Sequence, residues 1–172
     1  MTNTPWRNDK WYTSFWNHDE KAKAFYQFAD KIEYHDVTLR DGEQQSGLVF
    51  SKDQKIAIAE KLAEIGIHRI EAGMPIVCKQ DEEAIREIAK RKLGPKIFTF
   101  ARCIPDDAQL AKDLGADGII MEIPGNELLL KHGFKWEVQR AIDAAVKATS
   151  YAHQEGLYVT LFLIDYSRAE LS

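Results

Sequence analysis

From Ile32 onward the chain alternates short apolar runs with amphipathic segments, and this alternation restricts the fold to repeated βα units around a parallel sheet. Strands are expected near 32–39, 67–72, 97–102, 118–123 and 157–164. Ser51, followed three residues later by Gln54, forms a capping-box start. Ile56, Ala59, Leu62 and Ala63 supply the stripe of a helix over 52–65 that Gly66 ends. A second helix is expected over 82–92, with Ala84, Ile85, Ile88 and Ala89 inward, and Gly94-Pro95 stops it. A third starts at Asp106 or Asp107 and runs through Ala108, Ala111 and Leu114 to Gly115. A long helix over 136–154 places Ala141, Ile142, Ala145, Ala148 and Ala152 on one side, while 124–134, with Pro124, Gly125 and Gly133, reads as a looser loop.

Five strands and four helices in this order belong to the class α/β and would build a (β/α)₈ barrel if the pattern continued. Such a barrel needs about 250 residues and eight strands to close. At 172 residues the chain reads as an incomplete barrel with an open edge at strand five, either a piece of a longer protein or one that finds its missing half in another chain. Residues 1–28 stand apart. Trp6, Trp11 and Trp16 recur at five-residue spacing, followed by Phe25, Tyr26 and Phe28, and that spacing fits neither helix nor strand. An aromatic arm laid on its own domain or on a neighbouring subunit is expected there, with a ligand role as a further alternative and 29–172 as the partial catalytic domain.

A formal charge of −4 without any run of Lys or Arg disfavours a nucleic-acid or anionic-membrane partner. Cys78 and Cys103 are the only cysteines and read as free thiols. No segment has the apolar length of a secretory leader or a membrane span, so a cytoplasmic protein is expected. No glycine-rich nucleotide loop occurs.

The chemistry concentrates where strand one ends. In His35-Asp36-Val37-Thr38-Leu39-Arg40-Asp41-Gly42-Glu43-Gln44-Gln45 an apolar strand runs into three charged side chains in four positions. Neighbouring strand residues face opposite ways, so Arg40 and Asp41 share a pocket only if the backbone turns at Asp41-Gly42, which Gly42 permits. A guanidinium beside a carboxylate suits a site that holds a divalent cation and an anionic oxygen substrate together; a local ion pair is the alternative. The other expected strand ends read Glu71, Arg102-Cys103, Glu122 and Asp165. Glu122 and Asp165 read as solvated loop residues, His35 as a core or supporting residue, His68 as structural, and His132 as a loop residue open to a substrate or coenzyme contact.

The string Asp36-x-Thr38-Leu39-Arg40-Asp41-Gly42-Glu43-Gln44, continued by Ile70-Glu71-Ala72-Gly73-Met74-Pro75, resembles the first two strand motifs of the DRE-TIM metallolyase superfamily. That group includes the isopropylmalate, homocitrate and citramalate synthases and HMG-CoA lyase. The resemblance implies a TIM barrel in which Asp41 binds a divalent cation (Mg²⁺, Mn²⁺ or Zn²⁺), Arg40 holds the 2-oxo acid oxygen and stabilises the oxyanion, and Glu71 is the strand-two acid. Gln44 then lies near the metal and the substrate. Arg102, from its place at the end of the third expected strand and not from the resemblance, is a candidate substrate-binding cation. The implied reaction is acyl transfer from acetyl-CoA to a 2-oxo acid, in amino-acid biosynthesis. Cleavage of the lyase or aldolase kind is the alternative, as is an inactive half-barrel acting as a subunit. A homo-oligomer, or a partner supplying the missing half, is expected. Two departures stand out: the five histidines contain no His-x-His pair, and Thr160 occupies strand five where some members carry an acid.

Overall fold

The computed structural model describes residues 6–10, 12–27 and 29–169, in two compact units, 1–32 and 33–172. In the first unit an antiparallel bridge joins Arg7 to Tyr12. A 3-10 turn, Phe15–Asn17, precedes a one-turn helix α1, Glu20–Lys23. Asp19 caps that helix by accepting from the Ala22 amide at 2.9 Å. The tryptophan spacing fits neither helix nor strand, and the helix that forms here is a single turn set by the Asp19 cap. Trp6 meets Phe15 edge-on with centroids 5.2 Å apart, and Phe15 meets Trp16 at 5.4 Å. Trp11 and Phe28 lie outside the described residues.

The second unit is a sheet of five strands in sequential order, every neighbouring pair parallel. The strands are β1, His35–Asp36; β2, Arg69–Glu71; β3, Lys96–Arg102; β4, Gly118–Pro124; and β5, Tyr158–Ile164. Helices α2, Lys52–Glu64; α3, Lys79–Arg91; α4, Pro105–Asp113; and α5, Val138–Gln154, connect them. This is the expected piece of a (β/α)₈ barrel.

Several boundaries differ from the sequence reading for identifiable reasons. β1 is two residues long instead of eight, because the Val37 carbonyl accepts from the amides of Arg40, Asp41 and Gly42 at 2.9–3.1 Å and curls the chain out of the sheet. The turn therefore begins at Val37, and Gly42 opens a 3-10 turn, Gly42–Gln44, without a positive φ. Helix α2 starts as expected, with the Ser51 and Gln54 side chains exchanging hydrogen bonds with each other's backbone amides. Helix α3 starts earlier than its apolar stripe, since Lys79, Gln80 and Asp81 form a polar first turn. Pro105, with φ preset for a helix start, opens α4 in place of the two aspartates. The expected loop at 124–134 contains a π-helical turn, Leu129–Phe134. Its entry is capped by the buried Asn126, whose Oδ1 accepts from the Leu128 and Leu129 amides.

Alternation along the strands divides the sheet. Towards the helices, Ile70 and Ile97 pack with Ile56, Ile85 and Ile88, and Ala101, Ile119 and Met121 with Ala108, Ala148 and Ala152. The opposite, barrel-interior face carries Phe98, Phe100 and Ile120. Register places Phe98 level with Gly118 and Tyr158, and Arg102 level with Glu122 and Phe162. A β-carbon on Gly118 would lie 2.3 Å from the Phe98 ring, so glycine is what lets that ring approach the β4 backbone. Ile142, expected inward, is exposed. With Val138, Val146, Leu161 and Leu163 it borders an open apolar cleft of about 360 Å³, because no described element packs on the far side of β5.

Candidate active site

The reversal at Val37 carries Arg40 back over the interior face, where its Cζ sits 4.0 Å from the centre of the Phe100 ring. A cation over an aromatic face is attracted by the ring quadrupole. The Arg40 Nε also donates to Glu71 Oε1, and Glu71, at the end of β2, is only 1% exposed. Its other carboxylate oxygen lies 3.3 Å from His35 Nε2. A carboxylate this deep is tolerable only with partners for both oxygens, and Arg40 and His35 supply them. His35 meets Phe98 edge-on at 5.2 Å, as a supporting residue would. Asp41 remains exposed, and its Oδ1 accepts from Arg40 Nη1 at 3.1 Å. The two residues adjacent in sequence thus divide their roles by burial: the guanidinium is anchored and the carboxylate faces outward.

Two clefts flank this cluster. One, of about 330 Å³, is lined by Arg40, Gln44, Leu48, Met74 and Val77, which brings Gln44 beside Arg40. The other, of about 380 Å³, is bounded by Phe100, Arg102, Glu122, Phe134 and Trp136. Glu122 is half-buried within β4 rather than on a solvated loop. Burial pushes its carboxyl above the usual carboxylate range, opposed by the charge of Arg40. Arg102 does not join Arg40 and Glu71. Its Nε and Nη2 donate to the two oxygens of the buried Asp107 at 3.0 and 2.8 Å, and this pair holds its guanidinium charge more firmly than usual. Asp165 follows β5 and pairs with Arg168 at 3.0 Å.

His68 lies at the start of β2, where its Nδ1 accepts from the Tyr34 amide at 3.1 Å, a structural role. His132 is exposed in the π-helical turn. Cys78 and Cys103 are free thiols, and burial pushes the Cys103 thiol up to about 11. Among the described residues no three His, Cys, Asp or Glu side chains are grouped to hold a metal ion. Asp41 supplies one carboxylate, and one ligand does not make a metal centre. No helix among the described residues is long and apolar enough to cross a membrane.

Sequence reading missed Lys55, whose side chain is fully buried between Glu43 and Asp81, at 2.5 Å from each. One signal was present: Lys55 precedes Ala59 by one helical turn and so shares the buried face of α2. Its partners, 12 and 26 positions away, left no local trace. Asp107 was likewise read as a helix start, whereas its carboxylate turns inward to accept from the Arg102 side chain and amide.

A family model described as HMGL-like matches residues 31–172. The chain is 34% identical to homocitrate synthase AksA of Methanothermobacter thermautotrophicus over 94% of its own length and 40% of that relative's. It is 38% identical to a probable 2-isopropylmalate synthase of Ignicoccus hospitalis, over 88% of this chain and 38% of the relative. The chain therefore spans about two fifths of the length of these relatives. The crystal structure of the HMG-CoA lyase of Bacillus subtilis superposes with a TM-score of 0.65 at 17% identity, over 80% of this chain and 48% of the lyase, a likeness of fold.

Proposed function

We propose, from the premise that this chain belongs to the HMGL-like family, that it forms the first part of an enzyme barrel joining the acetyl methyl carbon of acetyl-CoA to the ketone of a 2-oxo acid, with CoA then released as water hydrolyses the thioester. The observation that carries this reading is the Arg40 guanidinium at the strand ends, held by the buried Glu71, stacked on Phe100 and bordered by the exposed Asp41. A 2-oxo acid presents a ketone oxygen beside a carboxylate, and a planar donor fork matches that pair of acceptors better than a point charge does. Attack of an acetyl-derived enolate on the ketone builds negative charge on its oxygen, where a fixed Arg40 stabilises the transition state without reorganising.

Glu71 orients Arg40 through its carboxylate, whose other oxygen meets His35. Gln44 adds an amide beside Arg40. Arg102, held by Asp107 at the cleft rim with its side chain 56% exposed, is a second cation available to an acidic group of substrate or coenzyme. Asp41 contributes one ligand to a divalent cation, which when bound would polarise the ketone as a Lewis acid. The curated relatives reported above favour the condensing direction, whereas the lyase likeness carries the fold alone.

The test uses the 172-residue chain both alone and joined to the remaining barrel portion of the Methanothermobacter relative. Each is given acetyl-CoA, a panel of 2-oxo acids and Mg²⁺ or Mn²⁺, and free CoA thiol is followed. The joined protein is expected to release CoA with at least one 2-oxo acid and to lose this in Arg40→Ala, while the open five-stranded chain alone releases none. A folded joined protein that is inert with every 2-oxo acid, or equally active without Arg40, refutes the reading.

A further inference from the structure

Lys55 is a fully buried lysine on α2, and its ammonium has three acceptors for its three donors. These are Glu43 Oε2 and Asp81 Oδ1, each at 2.5 Å, and the Leu39 carbonyl at 3.3 Å. A buried cation is strongly disfavoured unless paired and hydrogen-bonded, and here it is satisfied by Leu39 and Glu43 from the segment after β1 and by Asp81 from the first turn of α3. The second oxygen of Glu43 accepts from the Phe50 amide at 2.7 Å, and the second oxygen of Asp81 from the Met74 amide at 3.1 Å. Gln80 adds a bond to the Phe50 carbonyl at 2.7 Å. One ammonium therefore ties the loop after β1 to the first turn of α3, and through Asp81 to Met74 in the loop after β2.

The pinned atoms lie next to the site. Leu39, whose carbonyl Lys55 engages, is buried and immediately precedes Arg40. Met74 and Asp81 line the same cleft as Arg40 and Gln44. Gly73 sits at φ +146°, and a β-carbon there would lie 2.7 Å from Asp81 Oδ2, so the backbone has closed tightly around this carboxylate.

We propose that Lys55 is a positioning residue: through Glu43, Asp81 and the Leu39 carbonyl it fixes the backbone from which Arg40 reaches Glu71 and Phe100. The proposal deepens the functional reading only in that Arg40 is its anion-binding group, and its test needs no substrate, so either can fail without the other.

The test is amide hydrogen exchange and the Arg40 Nε–H resonance by NMR in the full chain, for Lys55→Met and for the shape-conserving variants Glu43→Gln and Asp81→Asn. In Lys55→Met, protection of the Phe50 and Met74 amides should fall by about tenfold while the β3 and β4 amides keep theirs, a local rather than global opening. The Arg40 Nε–H signal should shift or broaden. Glu43→Gln should loosen Phe50 more than Met74, and Asp81→Asn the reverse, each moving the Arg40 signal. An unmoved Arg40 signal in the variants that fold, or equal loss of protection across the whole sheet, overturns the proposal. If Lys55→Met does not fold, the two carboxylate variants decide it.

Discussion

Replacing Glu71 by glutamine tests the geometry of the site most directly, because the side chain keeps its shape and loses only its charge. In the native arrangement both carboxylate oxygens are used, by Arg40 Nε and by His35 Nε2, at a residue 1% exposed. An amide can accept from one of these and must turn an N–H₂ group towards the other. Removing one partner of a buried pair costs about 3–5 kcal/mol, because the remaining charge is left uncompensated. Arg40 keeps 16% side-chain exposure and a second partner in Asp41, so the lower end, about 3 kcal/mol, applies. For a chain of this size each kcal/mol lowers Tm by about 2–4 °C, giving a fall of roughly 6–12 °C. Thermal unfolding followed by circular dichroism measures this for Glu71→Gln, Arg40→Met and the double variant. The double variant should be more stable than the sum of the singles implies, since it buries no orphaned charge. A Glu71→Gln protein within 2 °C of the parent, as a rough margin on that scale, with strictly additive effects, would refute the buried-pair argument.

Arg40→Lys in an active barrel containing this chain should be nearly as damaging as Arg40→Ala, with kcat reduced by roughly 10²–10³, because lysine cannot both hold Glu71 and present a planar fork over Phe100; retention of most turnover would make Arg40 a simple charge partner. Asp41→Asn should shift the midpoint of activation by Mg²⁺ or Mn²⁺ to higher concentration, and an unaltered titration removes Asp41 from the proposed ligands. Cys103, with its thiol raised to about 11, should be alkylated by iodoacetamide far more slowly than the exposed Cys78. The sign of its linkage follows: the unfolded thiol ionises first, so above roughly pH 8.5 the folded state holds the extra proton and loses stability as pH rises towards about 11. Cys103→Ala should flatten that alkaline decline, measured by urea unfolding at stepped pH.

What sequence alone determined here is what neighbours along the chain determine. The Ser51–Gln54 box, the stripe through Ala84, Ile85 and Ile88, and the long apolar strands β3 to β5 depend on periodicity and caps within one or two turns, and they lie where the pattern puts them. The clustering of Arg40, Asp41 and Glu71 was also legible, because parallel βα units bring successive strand ends to one side of the sheet. Tertiary structure decided the rest. That β1 stops after two residues depends on a carbonyl collecting three amides. That Arg102 turns to Asp107, and Glu122 stays half-buried in β4, depends on which groups pack above each strand end. The burial of Lys55 needs one carboxylate from the turn after β1 and one from the first turn of α3, which share no local sequence pattern with it. In one dimension a charged residue looks solvated; only the packed fold sets which charges lose water, and each that does must find its partner across the chain.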